Sequence, residues 1–417
     1  MTRLVRDRVS WLLYAQLGVF GFFLYGFGPV VPLLRDELGV SRTVAGLFGP
    51  ALAVGAALGG VLFPYLVRRL GRDRALWTGL AGLALGVALL SLPATVPGTL
   101  AATVVAMTFG MIVVSGVPAA LATHQGPASA AGISEANAAA AGMGLVTPLL
   151  IGAAVNAGLG WRVGLGGTIA LVGVLAAAAA LAGVRIPAGA PAAVAASAPG
   201  APAPGRLPRR YWLAWGCLLT TGSVEVCLSL WASEQLRERV GMAPGAAAAG
   251  MSAVLAGMVI GRLAGGPAAL RFGVRPLLLM ALAGAGFGFG VFWVATVPWL
   301  AMTGLVLCGL SISVHIPLGM VLAIGASDGQ PDLAMARNSY AMALGFGVAP
   351  LALGVLADRV GIWHAFLLAP AFLAVAATMV VALSLTARRS RAATPPVGAR
   401  SSAVYAERPR GHGIKST

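Results

Sequence analysis

Apolar runs of about twenty residues recur along the whole of this chain, and no other feature limits its fold so strongly. A bilayer core of ~30 Å is crossed by about 20 residues in helical form. Runs of that length cover 11–34, 44–67, 75–94, 98–123, 136–158, 163–184, 211–233, 245–269, 275–295, 298–326, 335–357 and 363–386. Polar residues or Gly/Pro breaks separate them. Hydrophobic residues make up 59% of the 417, and charged ones 10%. A soluble domain carries ~25% charge, so this chain lacks the polar groups to cover a surface facing water. The expected fold is an all-α integral membrane protein with twelve crossings. Arg3, Arg6 and Arg8 precede the first run, as in a signal peptide, but the run from Trp11 to about Leu34 is too long for a cleaved one. It reads as a retained helix.

The net charge is +16. A basic excess of this size can mark a nucleic-acid partner, but here the arginines form short clusters between apolar runs and in the C-terminal tail. That is the pattern of topology signals, so no nucleic acid is expected. Arg68, Arg69, Arg72, Arg74, Arg185, Arg206, Arg209, Arg210, Arg271 and Arg275 outnumber the arginines of the opposite loops. The bias predicts both termini in the cytoplasm of a cell whose inner (plasma) membrane holds the protein. Cys217, Cys227 and Cys308 lie inside apolar runs and read as packing residues. The four histidines are dispersed, no metal-ligand spacing occurs, and no phosphate-cradling Gly-Lys-Ser/Thr loop exists. No metal or cofactor is expected, and an enzyme is disfavoured because no catalytic cluster forms at one face.

Residues 185–210 are rich in Ala, Pro and Gly, a composition that forms neither helix nor packed core. They read as a cytoplasmic linker between a bundle over 11–184 and another over 211–386. Residues 1–10 and a disordered basic tail over 387–417 complete the expected organisation. The halves match at one offset. Leu34, Arg35 and Gly39 fall on Leu236, Arg237 and Gly241; Gly55 and Gly59 on Gly257 and Gly261; Arg69 and Gly71 on Arg271 and Gly273; Pro148, Gly152 and Trp161 on Pro350, Gly354 and Trp363. Each pair is 202 positions apart. An offset spanning six helices makes a parallel repeat about an axis along the membrane normal, and such halves can rock around a shared site.

Six helices, a central loop and six more helices over residues 10–387 resemble the major facilitator superfamily. Its best-known motif, Gly-x-x-x-Asp-Arg-x-Gly-Arg-Arg, is similar to Pro64-Tyr-Leu-Val-Arg68-Arg69-Leu-Gly71-Arg72-Asp73. The Arg-x-Gly-Arg core matches, while Arg68 stands where the family has its carboxylate. The second copy, Gly266 to Gly273, follows Gly261-Arg262 and carries Arg271, with Leu270 in the carboxylate's place. The resemblance implies that this motif braces the cytoplasmic gate, and that the brace differs here. Gly354-Val-Leu-Ala-Asp358-Arg359-Val-Gly361 is the closest match in letters, but it falls at the outer end of the eleventh helix and reads as a helix end and turn.

The candidate site residues come from polar groups within the spans. Glu225 lies ~21 Å along the seventh helix at ~1.5 Å per residue. An ionised carboxylate in hydrocarbon is costly, so Glu225 faces protein, faces a water-filled cavity, or is protonated. It either loads and releases a proton or stays neutral and bonded within the bundle. The resemblance implies that helices one, four, seven and ten line a central cavity, which Glu225 and His315 would then share. Arg262 could pair with an anionic substrate or with helix-end carbonyls. Gln16, Tyr25, Ser115, Thr221 and Trp231 could orient a substrate, or satisfy their own helices. Pro148 and Pro350 permit kinks in helices five and eleven. These features predict a secondary transporter that moves a small solute by alternating access and couples it to protons. The alternatives are an uncoupled facilitator, a drug or metabolite exporter of the same fold, and a polytopic membrane enzyme. A monomer in the lipid bilayer is expected.

Overall fold

The computed structural model describes residues 5–92, 95–186, 206–328 and 330–393. Most of the expected linker and tail therefore lies outside the described residues. The described chain is helical throughout: α1 (Arg8–Leu38), α2 (Arg42–Gly46), α3 (Phe48–Leu70), α4 (Arg72–Leu90), α5 (Val96–Gln125), α6 (Ser129–Asn156), α7 (Trp161–Leu181), α8 (Arg209–Val240), α9 (Pro244–Gly250), α10 (Ser252–Phe272), α11 (Val274–Val294), α12 (Pro298–Ile312), α13 (His315–Gly325), α14 (Pro331–Ala365) and α15 (Leu368–Ala393). Taking α2–α3, α9–α10 and α12–α13 as broken spans, 12 are long and apolar enough to cross a membrane. The outward side chains agree, since Leu181 is 91% exposed and Val61 79%. Apolar groups so bare are placed for lipid. α15 continues past residue 387, where the sequence puts the start of the tail.

The helix ends follow from local chemistry. Asp7 caps α1 by accepting the Ser10 N–H at 2.9 Å. Its second oxygen meets His124 of α5 at 2.8 Å. Burial alone would raise the Asp7 carboxyl; the hydrogen bonds from Ser10 and His124 outweigh it and hold the group below its ordinary value. The tenth span, expected as one helix over 298–326, breaks at Ser313–Val314. Pro317 explains the break, because it has no N–H for the Ser313 carbonyl and its ring crowds that carbonyl. Helices run through Pro148 and Pro350, and the non-helical residue in α14 is Gly361 (φ 81, ψ 156).

α1 packs on α5, α6 and α7, while α3 and α4 pack on α5. In the second half α8 packs on α13, α14 and α15, and α12 packs on α10 and α11. The result is two six-span bundles related by a pseudo-two-fold axis. Their contacts repeat as their letters do. Gly59 lies so close to Thr108 that an added Cβ would overlap its carbonyl, and Gly261 stands likewise to Leu310. Gly71 and Gly273 turn the chain with φ 79 in both halves, a conformation that disfavours any side chain. Near the end the register slips. Gly160 (φ 79) and Gly361 (φ 81) share one backbone state but lie 201 apart. Trp161 and Trp363 are therefore not structural equivalents, because the second half has one residue fewer in that turn. Trp161 donates to Glu37 at 3.1 Å, whereas Trp363 stacks on Trp293 at 4.4 Å.

Close backbone approach is what small residues supply between helices in lipid. At Gly309 of α12 an added Cβ would overlap the Val254 carbonyl of α10. Gly309→Leu should cost about 3 kcal/mol of stability. Gly286→Leu is the control, since a Cβ there meets nothing within 4 Å. Thermal unfolding of the two variants in detergent should lower the midpoint for the first and leave the second near the parent.

Candidate transport site

The two bundles enclose two adjoining cavities of 590 and 350 Å³. Three residues line both: Leu24 and Tyr25 of α1, and Glu225 of α8. Glu225 sits halfway along α8, an unbroken 32-residue helix. Its carboxylate makes no hydrogen bond or ion pair of 4.0 Å or less among the described residues. Arg262 of α10 opens on the smaller cavity, where its guanidinium faces both the Tyr25 hydroxyl and the Glu225 carboxylate. The site therefore holds one carboxylate and one guanidinium within electrostatic reach, neither locked to the other. Such a pair can exchange partners with a proton or a charged solute.

The other residues singled out in the sequence fall elsewhere. His315 is 1% exposed at the start of α13, and neither ring nitrogen closes a hydrogen bond. It lines neither cavity, although its neighbours Ile316 and Pro317 line the smaller one. Gln16 is fully buried with its amide unpartnered. Ser115 is partly buried and is not among the residues lining either cavity, although its neighbour Val114 lines the smaller one. Thr221 donates to its own helix at Cys217, 2.7 Å away. Trp231 is fully buried and donates to the Pro350 carbonyl at 3.1 Å, which ties α8 to α14.

The end of each bundle that carries the repeated motif is loosely furnished. Arg68 and Arg69 are exposed, and Arg69 lies over the Tyr65 ring at 5.6 Å. Arg72 is buried and donates to Thr123 at 2.8 Å. Arg271 lies over Phe272. These arginines and glycines make contacts within their own bundles.

The opposite face, away from the starts of α1 and α8, is bound by charge. Glu234 of α8 has a side chain only 1% exposed, and one of its oxygens accepts from both Arg35 of α1 and Arg42 of α2. Arg42 also pairs with Glu238, and Arg237 with Asp36 at 2.5 Å. Asp358 of α14 accepts the backbone N–H groups of Arg42 (2.9 Å) and Thr43 (2.7 Å) at the start of α2. Glycines let the backbones close there: a Cβ on Gly28 of α1 would overlap the Ser229 carbonyl of α8. Among the described residues, every side-chain hydrogen bond or ion pair joining the bundles lies in this half of the molecule, apart from the Tyr25–Arg262 contact at mid-depth. The sequence reading missed Glu234 because it ended the seventh span at 233, where charge begins. The clue was that α8 keeps its helical spacing through Glu234 and Glu238. The segment from Gly354 to Gly361 does turn at Gly361, but its Asp358 also latches the two halves.

Comparison with known proteins adds the following. The family model described as Major Facilitator Superfamily matches residues 13–233 and 213–410. Comparison with curated proteins finds no match. Among solved structures, a bacterial homolog of the human lysosomal transporter Spinster, inward-facing and occupied, superposes with TM-score 0.73 at 15% identity, covering 90% of this chain and 97% of that one. The peptide transporter POT in complex with sulfate gives 0.71 at 14% identity, with 93% and 96% covered. The xylose transporter XylE from E. coli gives 0.66 at 12%, with 89% and 95% covered. At such identities the likeness is one of fold.

Proposed function

This chain belongs to the Major Facilitator Superfamily, and from that premise we propose that it is a secondary transporter that couples a small solute to protons through Glu225. The family membership makes it a membrane transporter rather than an enzyme. The observation that carries the proton coupling is the unpaired Glu225 carboxylate at the junction of both cavities. A carboxylate held inside a bundle is a default candidate for a proton relay. It can bind a proton from one side and release it to the other as the bundles rock about the shared site. Arg262 stands beside it to stabilise the ionised form between loads, and the Tyr25 hydroxyl faces that guanidinium.

The arginine bias supports an orientation with both termini in the cytoplasm of the inner (plasma) membrane. With that orientation, the charge-bound face is extracellular and the structure is closed to the outside. The chain works as a monomer, since both bundles that frame the cavities come from one polypeptide. An uncoupled facilitator would show solute equilibration without accumulation. The test uses protein in sealed liposomes with a proton-sensitive dye inside. Adding solutes from a panel should move protons for at least one solute, and a protonophore should abolish its accumulation. Solute movement with no accompanying proton flux would exclude the coupling.

A further inference from the structure

We propose that the solute is a lipophilic organic cation of drug size, held by its positive group at Glu225 in exchange for a proton. The proposal rests on the transport reading above and names the substrate class for the same site. The larger cavity is unusually soft. Met107, Met251, Met258, Met320, Met335 and Met342 line it, out of 13 methionines in the chain. Unbranched thioethers reshape around varied apolar bodies and interact well with aromatic rings. A volume of 590 Å³ lies within the range of small-molecule sites.

The polar groups of this cavity are mostly spent on the protein itself. Ser229 donates to the Glu225 carbonyl at 2.9 Å. Asn338 accepts from Tyr211 at 2.9 Å and Ser339 donates to the Met335 carbonyl at 3.4 Å. A sugar or a peptide would lose its water here and find few partners, which penalises such ligands. Among the described residues, the single formal charge on the wall is negative. An anion would meet Glu225 unscreened by any cation within that cavity. A cation finds in Glu225 a carboxylate that no donor holds.

The groups facing Glu225 are few. Arg262 of α10 approaches it from the smaller cavity, Tyr25 of α1 lines both cavities, and Ser229 donates to the Glu225 backbone carbonyl and not to its carboxylate. His315 of α13 lines neither cavity. Arg262 stays beyond ion-pair distance, so it leaves the carboxylate open on the methionine side. One carboxylate can hold one proton or one cation at a time. The exchange is therefore one for one, and it is electroneutral for a monovalent cation.

The experiment compares three probes of similar shape on detergent-purified protein by equilibrium dialysis: tetraphenylphosphonium, neutral triphenylphosphine oxide and anionic tetraphenylborate. The cation should bind tightest, and its apparent Kd should rise as pH falls because protons compete. Glu225→Gln should weaken the cation by roughly a hundredfold, and Glu225→Asp should recover much of that loss. Tetraphenylborate binding as tightly as the phosphonium in the parent protein would overturn the proposal, and that comparison needs no variant. So would phosphonium binding that is unchanged by pH and by Glu225→Gln. If the phosphonium binds at Glu225 but no pH gradient drives its movement, the substrate class stands and proton coupling fails. If a pH gradient drives some other solute and the phosphonium does not bind, the coupling stands and the substrate class fails.

Discussion

Glu234→Ala should release the charge-bound face. The parent carboxylate is buried, and one oxygen takes both Arg35 and Arg42. Alanine leaves two guanidinium groups together at the seam without their shared partner, Arg35 keeping only Asp36 and Arg42 only Glu238. Removing one partner from a buried ion pair costs about 3–5 kcal/mol, and the remaining carboxylates, each more than a third exposed, hold the cost here to the lower end. That cost falls only on the conformation in which the seam is shut. Once the bundles part there, both arginines are hydrated and lose nothing. A difference of about 3 kcal/mol moves the balance between the two conformations by roughly a hundredfold. A single cysteine at Ser229, placed in a background without the three native cysteines, reports the shift. An impermeant maleimide added from that face should label it far faster in the Glu234→Ala protein. Glu234→Asp should fall between. Equal labelling rates in parent and variant would mean that the apolar contacts alone hold the seam.

The second large effect concerns Glu225. Glu225→Gln keeps the size and most of the polarity of the side chain but cannot ionise. It should abolish accumulation driven by a pH gradient while the bundles still rock, so solute supplied at concentrations high enough to offset its weakened binding should still move down its own gradient. The bundles' closing surfaces, such as Gly28 on Ser229 and Asp358 on α2, do not involve this carboxylate. Gradient-driven accumulation in the variant at the parent's level would remove Glu225 from the coupling. Arg262→Gln is the useful companion. It takes away the positive neighbour and leaves the carboxylate, so it should change the pH at which transport is half-maximal rather than abolish the coupling.

The fold was legible because the signal for a lipid-spanning helix is long and redundant. Twelve runs and one offset of 202 residues identify the architecture before any contact is known. Glu225 was legible for a related reason, since a lone carboxylate in a long apolar run stands out against its neighbours. The rest depended on information that spacing does not hold. Glu234 belongs to a run of charges, Glu234 to Arg239, which from sequence reads as the end of a helix. Only the approach of α1 and α2 from the other bundle makes it a buried partner. His315 looked like a cavity residue because of its helix, but the break at Ser313–Val314 turns that helix just before it. The one-residue slip between Gly160 and Gly361 hid behind two tryptophans that match in letters and differ in surroundings.

Asp358 clasps α2 at one face, while the repeated motif at the other has Arg68 and Leu270 where its carboxylates would be. The free energy of the empty protein should thus be tilted, with most molecules closed at the clasped face. A solute arriving from that side must first find the rare molecules that have opened to it. Its apparent dissociation constant is raised by the inverse of that rare fraction. The two sides of the membrane should accordingly register different affinities for one and the same pocket, weaker from the clasped side, with no difference in the groups that touch the solute.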